Sequence, residues 1–163
     1  MTRPRRLHAL EYVGLRQYFL TICAYQSTRC FILDGVVEET ALHFLQVATD
    51  ERFEMLAYCF MPDHVHALVS ACAESADLQR FVRLAKQRSG FAFKRAHRER
   101  LWQESYFDRT VRDNESTVEI IHYIVANPVR TGLVETPAAY PHWGSQVYSR
   151  EEILEFIAIE RRV

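Results

Sequence analysis

The sequence predicts an α+β fold: a ferredoxin-like split βαβ sheet, antiparallel and carrying its helices on one face, with an added C-terminal helix that bears Tyr123. Three observations predict it. Segments rich in aromatic and β-branched residues alternate with helical periodicity in the order strand, helix, strand, strand, helix, strand, which is the order of that sheet. At 163 residues, 48% of them hydrophobic, the chain is the right size for one domain with a full core. A further helical stretch, opened by a capping pattern, follows the last strand.

Residues 16–26, RQYFLTICAYQ, read as the first strand. Asp34 opens a helical stretch to about Asp50, with Val37, Ala41, Phe44, Leu45 and Ala48 at helical spacing. Residues 52–61 are apolar on both faces of an extended chain, which suits a central strand, and Pro62 and Asp63 supply the turn into a strand from His64 to Ala71. Leu78, Phe81, Val82, Ala85, Ser89, Ala92 and Ala96 follow a helical period, so a second helix is expected over 75–97, bent at Gly90. Residues 106–112, YFDRTVR, form the fourth strand. Asn114 or Ser116 caps the third helix, Ser116 with Glu119 fitting a capping box, and that helix should end before Pro128. Turns at Thr131-Gly132 and Tyr140-Pro141 lead to a short final helix from about Arg150. Residues 1–145 are therefore read as the single domain and 146–163 as a tail with that helix.

The net charge of −1 argues against a protein that coats nucleic acid indiscriminately. Its distribution is lopsided. Between Arg80 and Arg100 stand eight basic residues against one acid, Glu99, leaving twelve basic and twenty acidic residues elsewhere. No run approaches the roughly 18–20 apolar residues of a membrane span, and the basic N-terminus lacks a following apolar segment, so a cytoplasmic protein with no membrane partner is expected. Cys23, Cys30, Cys59 and Cys72 show no CxxC pairing and are read as buried structural thiols.

In a strand, His64 and His66 project from the same side while Val65 faces the other way, so two imidazoles can converge on one ion. Among seven histidines such a pair also arises by accident, as hydrogen-bonded structural residues. Tyr123 and Asn127 lie one turn apart on one face of the third helix. If that face opposes the histidine strand, the Asn127 amide oxygen completes a ligand set and the Tyr123 hydroxyl reaches a substrate bound to the same ion. Three neutral ligands with open positions suit Mg²⁺ or Mn²⁺ better than structural zinc. The competing reading of Tyr123 is a core residue whose hydroxyl finds a partner.

The segments YCFMPDHVHALV (58–69), LWQESYFDRTVRD (101–113) and YIVANPVRTGLV (123–134) together resemble the HUH single-tyrosine transposases, and within them the REP-associated tyrosine transposase group. RQYFLTICAYQSTRCF (16–31) and FVRLAKQRSGFAFKR (81–95) match its style, so the resemblance extends to about residue 145. It implies that His64 and His66 are metal ligands, that Tyr123 is the nucleophile forming a 5′-phosphotyrosine, and that Asn127 is the third ligand. Many relatives outside the group carry glutamine at that place; Glu119, one turn before Tyr123, is the other candidate, weighed against a surface or capping role. The resemblance also implies single-stranded or hairpin DNA as substrate, a bacterial, nucleoid-associated setting, and action as a monomer or a homodimer.

Arg83, Lys86, Lys94 and Arg98 fall near one stripe of the second helix, where they follow a phosphate backbone or form a solvated charged face. Arg3, Arg5 and Arg6 form a candidate arm for DNA, or a solvated terminus. Trp102 is a candidate stacking ring for an unpaired base, or a core anchor. The rival functions are a catalytically silent DNA-binding protein of the same fold, a metallonuclease that uses water, and a small-molecule metalloenzyme built on the HxH pair.

Overall fold

Strand β3 (His64–Ala71) divides the molecule into two cores. Val65, Ala67, Val69 and Ala71 point to one side and join the larger core, whereas Leu68, on the alternate side with His64 and His66, joins a second. The computed structural model describes residues 12–160. Arg3, Arg5 and Arg6 lie outside them.

Around β3 the chain runs β1 (Gln17–Cys23), α1 (Val36–Asp50), β2 (Phe53–Met61), β3, α2 (Leu78–His97), β4 (Phe107–Thr110), α3 (Thr117–Arg130), β5 (Trp143–Gly144) and α4 (Arg150–Glu160). The strands lie in the order β4-β1-β3-β2-β5, every neighbouring pair antiparallel. The first four strands thus have the arrangement of the split βαβ sheet. Strand β2 reads as apolar on both faces because an irregularity between Met55 and Ala57 switches its parity. Phe53 and Met55 face the first core, and Ala57, Cys59 and Met61 the second.

Helices α1 and α2 cover one face, where Phe44, Phe53 and Phe81 pack ring against ring and Trp102 closes the end of the core against Phe31 and Phe44. The opposite face is not bare. Ile120, Ile121, Ile124 and Val125 of α3, with Ile153 and Ile157 of α4, pack on Ala57, Cys59, Met61 and Leu68. That face is left open mainly around the histidines, the only polar positions of β3 near its start.

The end of α3 and the burial of the cysteines differ from expectation. Helix α3 runs through Pro128 to Arg130. The proline removes one N–H near the helix end, and the end is held from the other side: Thr131 N and Oγ1 both donate to Asn127 O, at 3.0 and 3.1 Å, and Leu133 N donates to Pro128 O. Helix α2 runs unbroken through Gly90, where a Cβ would stand 3.5 Å from Trp102 Cδ1, an ordinary van der Waals contact. Cys72 is exposed and Cys23 only half-buried, while Cys30 and Cys59 are buried, and burial pushes the Cys59 thiol up to about 12. In the segment after 145, Gln146 bonds to β2 and α4 contributes the fully buried Ile153 to the second core.

Candidate active site

The turn at Pro62-Asp63 delivers His64 and His66 onto the α3 side of β3, because period-two alternation keeps Val65 in the opposite core. Their Nε2 atoms stand 3.1 Å apart, with the rings 4.7 Å between centroids and nearly perpendicular. Each outer nitrogen has its own partner: His64 Nδ1 lies 2.7 Å from Asp63 Oδ1, and His66 Nδ1 lies 2.9 Å from Thr21 Oγ1. With protons on the two Nδ1 atoms, donated to Asp63 and Thr21, both Nε2 lone pairs face the same point. Burial, and secondarily the neighbouring His64, push the His66 imidazole down to about 4. A neutral ring at ordinary pH is the form that binds a metal.

These residues fit a divalent ion on a donor-set argument. Two nitrogens 3.1 Å apart have the spacing of adjacent ligands at about 2.1 Å from one centre. No group of three His, Cys, Asp or Glu side chains suited to a metal occurs among the described residues.

Helix α3 supplies the opposing wall. Ser116 caps it, accepting from Glu119 N at 3.3 Å, and its apolar residues seat it on the sheet. Tyr123 is 42% exposed and its ring lies 6.4 Å from that of His66 and 6.0 Å from that of Phe19. The Arg130 guanidinium sits 4.5 Å over the Tyr123 ring from two turns further on. Asn127 is buried, one turn beyond Tyr123 on the same helix. The structure therefore brings His64, His66 and Tyr123 together, and puts Asn127 on the helix that carries the phenol.

The basic stretch lies elsewhere. Arg83, Lys86 and Lys94 line an open groove of about 810 Å³ between α2 and residues 100–106, on the face of the sheet opposite the histidines. Arg98 caps α2 in the left-handed conformation and is exposed. Lys86 is tied to the backbone, donating to Gln103 O and Glu104 O at 2.8 and 2.9 Å, which leaves Arg83 and Lys94 as the exposed cations of the groove among the four expected. Trp102 is a core residue, 4% exposed, its Nε1 donating to Ser89 Oγ at 2.9 Å. A ring enclosed in this way has no face for a base, and the expected stacking contact at Trp102 is withdrawn.

The sequence reading missed Asp63, Thr21, Phe19 and Arg130. Asp63 was adjacent to the motif but read as a turn residue; Thr21 and Phe19 become neighbours of His66 only through the pairing of β1 with β3.

Known proteins share the sequence pattern and the fold. The family described as "Transposase IS200 like" matches residues 14–127, a span that holds both histidines, Tyr123 and Asn127. A Haemophilus influenzae protein named as a REP-associated tyrosine transposase is 26% identical over 138 residues, covering 77% of each chain. A solved REP-associated tyrosine transposase bound to a REP hairpin superposes with a TM-score of 0.72 at 21% identity, covering 88% of this chain and 82% of that one, which shows the shared fold. A Deinococcus radiodurans crystal structure described as a transposase gives 0.53 at 25% identity, covering 76% and 95%. The matched span, more than half of the chain, carries the HxH strand and the tyrosine helix: the chain belongs to the IS200-like transposase family.

Proposed function

We propose that the protein is a metal-dependent enzyme that nicks and rejoins single-stranded DNA, acting on hairpin or repeated palindromic sequences through a 5′-phosphotyrosine intermediate. The observation that carries the reading is the convergence of His64 Nε2 and His66 Nε2, 3.1 Å apart, with the Tyr123 ring 6.4 Å from His66. The similarity to a REP-associated transposase and to one bound to a REP hairpin supports the choice of DNA.

His64, His66 and Asn127 would hold the ion, Mg²⁺ or Mn²⁺. When bound, it supplies positive charge to the scissile phosphate and fixes its orientation for in-line attack. Asp63 and Thr21 hold the imidazoles in the ligating tautomer. The Tyr123 oxygen attacks phosphorus, giving up its proton; the new O–P bond replaces the bond to the 3′ oxygen, which leaves as a hydroxyl after taking a proton. Because the phosphotyrosine keeps the bond energy, a 3′ hydroxyl can attack it and restore both the DNA linkage and the free phenol.

Labelled single-stranded hairpins incubated with Mn²⁺ test this. The wild type forms a covalent protein–DNA adduct that survives denaturing gels, Tyr123→Phe forms none, and His64→Ala and His66→Ala lose most of it. Cleaved DNA without an adduct, or an adduct that persists in Tyr123→Phe, overturns the reading.

A further inference from the structure

We infer that the pocket at the open edge of the sheet, walled by Phe19, Phe107, Arg109, Glu119, Ile120 and Tyr123, seats an unpaired nucleobase of the strand cut at Tyr123. The inference rests on the proposed nicking function and adds to it a protein-read position beside the scissile phosphate.

Register carries the first part of the argument. Phe107 of β4 pairs with Thr21 of β1, and Thr21 pairs with His66 of β3, so the three residues form one rung across the sheet. Directly paired residues in an antiparallel sheet project to the same face. Phe107 therefore stands on the histidine side, two strand spacings or roughly 10 Å from the backbone of His66. Strand β4 is the edge of the sheet, so a nucleic acid strand can pass it without displacing protein.

The second part is the chemistry of the walls. The pocket is about 370 Å³, within the range of about 300–1,000 Å³ of small-ligand sites. Two of its rings are presented to solvent, Phe107 at 44% and Tyr123 at 42% exposure, and Ile120 is buried behind them. Exposed aromatic faces beside a catalytic phenol suit a flat, apolar-faced ligand that arrives attached to the phenol's own substrate. The electrostatics set its orientation. Arg109 lies 5.8 Å from the Phe19 ring centroid, but its NH1 is committed to both carboxylate oxygens of Glu115, at 2.7 and 2.8 Å. Glu119 adds a carboxylate to the wall. A phosphate would meet that negative charge, whereas an exocyclic amine of adenine, cytosine or guanine would donate to it. The cation for the backbone is Arg130, 4.5 Å over the Tyr123 ring, which lines an adjoining groove that shares Glu119 and Tyr123 with the pocket. A base in the pocket and a phosphate at Arg130 are two contacts that one passing single strand would make beside the phenol. A paired base would not enter, because its edge is occupied by its partner.

The test uses Tyr123→Phe protein, which keeps the ring and removes the nucleophile, and hairpins with unpaired flanks carrying 2-aminopurine at one flank position at a time. Stacking in the pocket quenches the probe at one position. Phe107→Ala in that background loses the quench and binds the flanked hairpin roughly ten-fold more weakly, with unchanged affinity for the same hairpin lacking its flanks. Phe107→Tyr restores both, which separates stacking from damage to β4, and thermal melting confirms that the variants fold. Flanked hairpin that binds without a position-specific quench, or a quench that survives Phe107→Ala, overturns the inference while leaving the nicking reading intact. Failure of the wild type to bind any hairpin or to form the adduct defeats the nicking reading itself, and this inference with it.

Discussion

His66 stays neutral in the folded protein down to about pH 4, while the same ring in an unfolded chain titrates near 6.5. As pH falls through that window the unfolded chain takes up a proton that the folded chain refuses. Stability is therefore fully present above about 6.5 and is lost progressively toward 4. The metal-free protein should show a melting temperature that declines over this interval, and His66→Gln should flatten the decline; a wild-type profile with no slope there would contradict the assignment. At this scale the sequence was informative where a residue's meaning is local. The two-residue spacing of His64 and His66 fixes a common side without knowledge of any neighbour, and the four-residue spacing of Tyr123 and Asn127 does the same on a helix. Thr21 was invisible because its role depends on which strand lies beside β3. Trp102 was ambiguous for a related reason: an indole reads alike whether its neighbours are bases or Phe31 and Phe44.

Among the elements, β5 shows what the sequence withheld. Two residues, Trp143 and Gly144, extend the sheet beyond β2, too short a segment to carry a period. Its fit is tight. A Cβ on Gly144 would stand 2.7 Å from the Tyr58 hydroxyl and 2.9 Å from the ring carbon that bears it, and that rigid ring is more than half-buried. Gly144→Ala should cost about 1–3 kcal/mol in denaturant unfolding, with adduct formation retained in the folded fraction. The ends of α3 teach the opposite lesson. Ser116 announced a start, since a side-chain cap is a local requirement, whereas the stop was expected before Pro128. Pro128 misled, because the cost of a proline in a helix, a lost hydrogen bond and a clash with the carbonyl four residues back, is offset where the surrounding core favours continuation. Buried Asn127 and Pro128 both belong to that continuation.

Across the whole molecule, the C-terminal helix packs into the second core. Ile153→Ala removes a fully buried side chain from the second core and should destabilise the protein by about 2–5 kcal/mol in urea unfolding, where a detached tail would register nothing. The basic groove and the imidazole pair occupy opposite faces, so under the proposed function their contributions to DNA binding are separable. Neutralising Arg83 and Lys94 together should weaken hairpin binding across sequences and reduce the slope of log affinity against log salt by about 2, leaving the pH profile of cleavage in place. The topology was legible from element order alone; the covering of the second face by α3 and α4 was not, since an amphipathic helix declares that it will be buried and is silent about where. One feature of β3 reaches further than the rest. Its alternate residues serve two unrelated environments, greasy packing beneath α1 and α2 on one side and nitrogen donors on the other. Sliding the strand by a single position would drive both imidazoles among phenylalanines and lift Val65 and Ala67 into their place. Whether the two imidazoles meet is thus an all-or-none report on strand alignment: a chain that pairs one position out never brings them together.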